Sequence, residues 1–297
     1  MYLFGGINNK AANLCMINNN KDDNSVAMKP SLPPFAHLPI NRCNLPPVIV
    51  GSLSFQHHPT ALHIDGIDEL HKSLFRGLDI RQTHKQRANY FMDYMIVHFR
   101  MENLEDAGLM SGDKNKRSKA DYLRILRGWL FDTDSREAAV LKSWVESRFD
   151  LLTRYHKGEL TDFSGKNYQL YLQERSSGLY ATNALEAQID LLYSYCQYEL
   201  ALKHEQYQHL PLYRGVNKID SYEILKRHDK NQAVVLMNNI NSFTRNRERA
   251  DEFGDYILEA DIPWQKVLFY SNLLPGLFSG EDEVLVIGGV YEVKIIF

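Results

Sequence analysis

The chain has 297 residues, 44% hydrophobic and 24% charged, a composition that points to a globular protein and away from a disordered or fibrous one. Its 34 Lys and Arg stand against 37 Asp and Glu, so the formal charge of -3 lacks the basic excess of a nucleic-acid binder. No apolar run approaches the roughly 18 residues of a membrane span, and the start MYLFGGINNK lacks the basic and apolar regions of a secretory signal.

Residues 1–45 read as a flexible Asn- and Pro-rich leader, with the run Asn18-Asn19-Asn20 and the pair Pro33-Pro34. Residues 46–204 read as a helical region. Ile67, Leu70, Leu74 and Phe75 share one face of a predicted helix over 66–75, with Gly77 as its stop. The stretch 90–99 is apolar on most sides, as a buried helix would be. Tyr122, Ile125, Leu126 and Trp129 mark another helix, and 138–152 and 184–202 two more. A polar loop is expected at 111–117.

Residues 205–297 are strand-like. Strands are predicted at 210–215, 233–236, 256–260, 267–270, 284–287 and 291–296, with Gly288-Gly289 separating the last two. One helix interrupts them, with Thr244 as its N-cap, residues 245–253 as its body and Gly254 as its stop. Helices first and strands later make the fold class α+β, a mainly helical N-terminal region followed by a β-rich core.

Several familiar chemistries are absent. The chain has no GxGxxG, no phosphate-binding GxxxxGK[ST] and no GxSxG elbow. His204 and His209 are spaced one residue too far for a zincin, and His57 and His58 on a strand would face opposite ways. Cys15, Cys43 and Cys196 are scattered and odd in number, which fits neither a disulfide framework nor a zinc site. No metal ligands are assigned.

The informative segments lie in the β-rich part. Glu281 and Glu283 precede an apolar strand and project from one face, with Asp282 turned away. Arg214 ends a strand against Gly215, where a guanidinium can grip a phosphate bidentately. Ser242-Phe243-Thr244 places hydroxyls just before a helix N-terminus. Each feature alone has a bland explanation: an acidic turn, a surface arginine, an N-cap. Their joint order, Arg, then Ser-x-Thr, then Glu-x-Glu, is much harder to reach by accident.

In this order the chain resembles the Arg–Ser–Glu type of mono-ADP-ribosyltransferase, whose Glu-x-Glu form is associated with arginine acceptors. A longer resemblance is to the dinitrogenase reductase ADP-ribosyltransferase family. It is carried by residues 44–49, Ser54-Phe55-Gln56-His57-His58-Pro59, 91–99, 247–254 and 280–289. The leader lies outside it, and Phe243 stands where many superfamily members have a small hydroxyl residue.

The resemblance implies NAD⁺ as substrate and the nitrogenase iron protein as acceptor, with modification switching off nitrogen fixation in the cytoplasm. It implies Glu283 beside the ribose 2′-hydroxyl, Glu281 on the acceptor guanidinium, and Arg214, Gly215, Ser242, Thr244 and Phe253 as NAD⁺-binding residues, with ordinary core packing as the alternative for Phe253. Phe278 matches the aromatic that positions the acceptor. A PII-type signalling partner is also implied, while a dependence on a divalent cation or ADP has no residues assigned. Two alternatives stay open: a transferase for another arginine target or an NAD⁺ glycohydrolase, and a non-catalytic interaction module on an NAD fold.

Overall fold

The computed structural model describes residues 42–101, 121–180, 184–204, 207–219, 222–278 and 282–297. Nearly all of the predicted leader, the polar loop at 111–117 and Glu281 lie outside them. Helices come first: α1 (Pro47–Val50), α2 (Leu53–His57), α3 (Ile67–Leu70), α4 (Lys72–Asp79), α5 (His84–His98), α6 (Tyr122–Phe131), α7 (Arg136–Phe149), α8 (Lys166–Leu179) and α9 (Leu185–Lys203). The sheet follows, with β1 (His209–Val216), β2 (Glu223–Arg227), β3 (Gln232–Leu236) and β4 (Ile240–Thr244). A short helix α10 (Arg247–Asp251) precedes β5 (Tyr256–Pro263), β6 (Val267–Tyr270), β7 (Glu283–Ile287) and β8 (Val290–Ile296). The fold is α+β, as expected.

Local chemistry accounts for most helix starts. Thr83 and Gln86 form a capping box at α5. Asp121 accepts the Arg124 amide at α6, and Ser135 accepts the Ala138 amide at α7. Three details differ from expectation. The helix predicted at 66–75 is two, broken at His71. Gly77 lies inside α4, where any side chain would strike the Tyr90 ring, so it permits close α4–α5 packing and stops nothing. The N-cap of α10 is Asn246, whose side chain accepts the Glu248 and Arg249 amides, while Thr244 is the last residue of β4.

The strands form one antiparallel sheet in the order β2-β3-β8-β5-β1-β4-β7-β6. One continuous apolar cluster joins helices to sheet, including Leu74, Phe91, Trp129, Trp144, Leu192, Leu212, Phe269, Leu285 and Tyr291. Polar contacts pin the two layers together as well. Asn239 Nδ2 donates to the carbonyls of Lys142 at 2.8 Å and Leu151 at 3.1 Å, tying the β3–β4 turn to α7 and the loop after it. Gly289 has φ 122° and sits so close to Gly51 that a side chain has no room, which fixes the β7–β8 turn against the first helices.

Helix α9 anchors the helical layer through two buried, bidentate ion pairs. Arg87 meets Glu199 at 2.5 and 2.9 Å, and Arg148 meets Asp190 at 2.6 and 2.8 Å. The Trp144 indole adds a third donor to Asp190 at 2.7 Å. Removing one partner of such a pair strands a buried charge, at a cost of about 3–5 kcal/mol.

Lys266 is fully enclosed and has no such carboxylate among the described residues; its Nζ donates to the Gly288 carbonyl at 2.6 Å. Burial alone pushes its pKa down to about 7 from the usual lysine value of 10.5. Between those two values the unfolded chain binds a proton that the native state does not, so this group makes stability rise with pH by about 1.4 kcal/mol per unit. Below pH 7 both states are protonated and the contribution is lost. Comparing denaturant titrations of wild type and Lys266→Met from pH 6 to pH 10 isolates the term. The difference should shift steadily in favour of wild type above pH 7, and parallel stability curves would refute a neutral buried lysine.

Candidate active site

The sheet is continuous in order but not in pairing. Strand β1 is in register with β5 over its whole length, from His209↔Pro263 to Val216↔Tyr256. With β4 it shares a single pair, Tyr213↔Thr244. Strand β4 in turn pairs fully with β7, from Ile240↔Ile287 to Thr244↔Glu283. The two halves of the sheet therefore part beside Arg214, Ser242 and Glu283.

Register explains how these residues meet. Glu283 lies directly across from Thr244, and Ser242 is two residues back on the same face of β4. The Ser242 hydroxyl donates to Glu283 Oε1 in a short hydrogen bond. The backbone of Glu283 is clamped by Ser271, which accepts its amide at 2.9 Å and donates to its carbonyl at 3.1 Å. Arg214 crosses from β1: its Nη1 donates to the Ser242 carbonyl at 2.6 Å and its Nε to the Tyr222 hydroxyl at 2.8 Å. A guanidinium held by two such bonds keeps its orientation, and Nη2 has no hydrogen-bond partner among the described residues.

The remaining expected residues divide. At Gly215 a side chain would collide with the Ala250 carbonyl oxygen and crowd the Phe253 Cβ, so α10 lies directly on β1 there. Phe253 itself is 61% exposed, which removes core packing as its purpose, and Arg249 sits 5.7 Å from its ring centroid. Thr244 is buried, donates to Asp282 Oδ2 at 3.3 Å and accepts the Asn246 amide at 3.1 Å, bracing the strand end. Phe278 is 7% exposed, with its ring 5.2 Å from that of Phe269. No group of His, Cys, Asp and Glu among the described residues could hold a metal ion.

Sequence reasoning missed Trp129, Tyr222 and Ser271. The Trp129 indole, on α6, donates to Ser242 Oγ at 3.0 Å and to Glu283 Oε1 at 3.1 Å. Its helical spacing marked it only as core, and no local pattern predicts a contact across 154 residues of chain. Tyr222 and Ser271 carry no sequence signal beyond lying near strand ends.

The structure thus brings together, where the sheet opens, the arginine, serine and glutamate through which the sequence resembles the ADP-ribosyltransferases. The sequence profile of the dinitrogenase reductase ADP-ribosyltransferase family matches residues 40–295. The chain belongs to that family. It is 38% identical over 257 residues to the NAD(+)–dinitrogen-reductase ADP-D-ribosyltransferase of Rhodospirillum rubrum, covering 86% of this chain and 93% of that protein. No solved structure matches the chain. Family membership makes it an enzyme that transfers ADP-ribose. No helix among the described residues is long and apolar enough to cross a membrane.

The close approach at Gly215 is directly testable. Gly215→Ala should lower stability by about 1–3 kcal/mol through overpacking and should also raise the KM for NAD⁺, because α10 and Phe253 must shift away from Arg214. Thermal denaturation and NAD⁺ kinetics, run together, check both effects. An alanine variant with unchanged melting and KM would show that α10 does not shape the site.

Proposed function

We propose that the chain transfers ADP-ribose from NAD⁺ to an arginine of the nitrogenase iron protein and so switches off nitrogen fixation. The observation that carries this reading is the Glu283 carboxylate, held by Ser242 and Trp129 beside the oriented Arg214 guanidinium, in a chain of this family. The relative from Rhodospirillum rubrum is named for ADP-ribosyl transfer from NAD⁺ to dinitrogen reductase, which supports this reading. The acceptor places the enzyme in the cytoplasm. A PII-type regulator, and a need for a divalent cation or ADP, belong to the same reading without residues to hold them.

The residues suit the chemistry. Transfer breaks the bond between nicotinamide and ribose C1′, and positive charge develops on the ribose as in glycoside hydrolysis. A carboxylate fixed at the 2′-hydroxyl opposes that charge, which is the role of Glu283. Preorganised groups of this kind contribute about 3–4 kcal/mol each. Arg214 binds the NAD⁺ phosphates, Ser242 and Thr244 support the ribose end, and the backbone at Gly215 with the exposed Phe253 ring receives the nicotinamide. The acceptor guanidinium is a poor nucleophile because it stays protonated, with a pKa above about 12. Glu281 aligns it and takes its proton as the new C1′–N bond forms. Phe278 holds the base of the segment that carries Glu281.

Two variants separate these roles. Glu283→Gln should lower kcat for both transfer and NAD⁺ hydrolysis by about 100-fold or more with NAD⁺ binding retained. Glu281→Gln should lose arginine transfer yet keep hydrolysis, since water needs no guanidinium alignment. The target is settled by incubating the purified chain with labelled NAD⁺ and iron protein and locating the label by mass spectrometry. One modified iron-protein arginine is the expected result. Label on other proteins, or only free ADP-ribose, would leave the chemistry and remove the nitrogenase role.

A further inference from the structure

From the geometry of α6 we infer that Trp129 is a positioning residue for the reaction, setting the orientation of Glu283 through its indole N–H. This rests on the catalytic role of Glu283 proposed above, and it extends that role to a residue of the helical layer that none of the three sequence signatures contains.

The inference begins with what a buried indole requires. Trp129 is 1% exposed, and its Nε1–H is a donor that must find an acceptor. The other buried indole, that of Trp144, satisfies that need within the helical layer, on Asp190 at 2.7 Å. The Trp129 indole instead donates to two side chains of the site, Ser242 Oγ at 3.0 Å and Glu283 Oε1 at 3.1 Å.

The polarity of this cluster follows. An indole N–H can only donate, whereas a serine hydroxyl can turn either way. Because Ser242 Oγ accepts from Trp129, its own hydrogen is directed to Glu283 Oε1, and that short bond is the one observed. Two donors therefore converge on one carboxylate oxygen and help to set the rotation of its side chain. Without the indole, the serine hydroxyl has no fixed direction and Oε1 loses one of these two donors.

The surroundings hold the indole still. Gly128, the preceding residue, leaves no room for a side chain because Glu137 of α7 packs against it, and the Ser135 hydroxyl donates to the Gly128 carbonyl at 3.1 Å. Lys142 of α7 places its Nζ 5.9 Å from the Trp129 ring centroid and is itself held by Asp134 at 3.1 Å and His156 at 3.2 Å. The α6–α7 pair thus presents a rigid donor to an oxygen on the far side of the chain's sequence.

Trp129→Phe keeps the ring and removes only the N–H. Its kcat for NAD⁺ hydrolysis should fall about 10-fold, on the order of one lost hydrogen bond to a charged group, while the KM for NAD⁺ stays within about twofold. A purely structural role would instead lower stability and raise KM with kcat little changed. Combining the variant with Ser242→Ala should be less than additive, because both act on the same oxygen.

Nitrogen–proton spectra provide a readout independent of activity and of how the variant folds. The Trp129 indole cross-peak should move on Glu283→Gln, while that of Trp144, bonded to Asp190, stays in place. An unmoved Trp129 cross-peak, or a Trp129→Phe enzyme with wild-type kcat, would overturn the inference. A wild-type chain without NAD⁺ turnover would instead count against the enzymatic reading, with the cross-peak still deciding whether the Trp129–Glu283 link exists.

Discussion

Strands β1 and β4 are each fully paired on their outer sides, to β5 and to β7, yet they meet each other only at Tyr213 and Thr244. Two neighbouring strands that diverge leave backbone groups and side chains without a partner strand, and in this chain Arg214 and Ser242 lie at those positions. Arg214 spans the gap by donating to the Ser242 carbonyl, a bond that a continuous ladder would have given to a backbone amide. The result is a guanidinium from one half of the sheet fixed next to a carboxylate from the other half.

Rigidity at the break has to come from elsewhere, and the helical layer provides it. Helix α9 is gripped by Arg87 and Arg148, and the Asn238–Asn239 turn is pinned to the α7 end of the helical layer. Fully paired ion pairs of this kind contribute little net stability compared with apolar packing, but they punish misregistration heavily. That is the property needed where an indole on one layer must meet a carboxylate on the other to within a few tenths of an ångström. Lys266, buried without a carboxylate, is the counter-example: its neutral form fits the apolar core, and its amine serves one carbonyl at the β7–β8 turn.

Legibility in the sequence followed burial. Strands β3, β5, β6, β7 and β8 and helices α5, α6, α7 and α9 were readable because apolar residues recur along them at the right period. Strand β2 was not, since its residues are half-buried or exposed and an edge strand needs no apolar face. Helix α8 was also missed, because only Tyr171 among its 14 residues is buried and its sequence Lys-Asn-Tyr-Gln-Leu-Tyr reads as loop. The α10 cap was placed two residues early, as Thr244 and Asn246 are both good capping residues and only strand register chooses between them. At the site, Arg214, Ser242 and Glu283 were visible through their order in the chain, whereas Trp129, Tyr222 and Ser271 act through contacts that no linear pattern encodes.

The dependence of Glu283 on both layers bears on why the chain carries so much helix. Here the orientation of Glu283 depends on side chains from three separate stretches: Ser242 on β4, Ser271 after β6 and Trp129 on α6. The first is bound by the register of the sheet, and the second sits in the turn that follows β6. The third belongs to a helix that ends at Phe131, a side chain 93% exposed two residues beyond the indole. In physical terms, the orientation of Glu283 is therefore set jointly by the sheet and by a helix that also reaches solvent, so neither layer alone fixes the carboxylate.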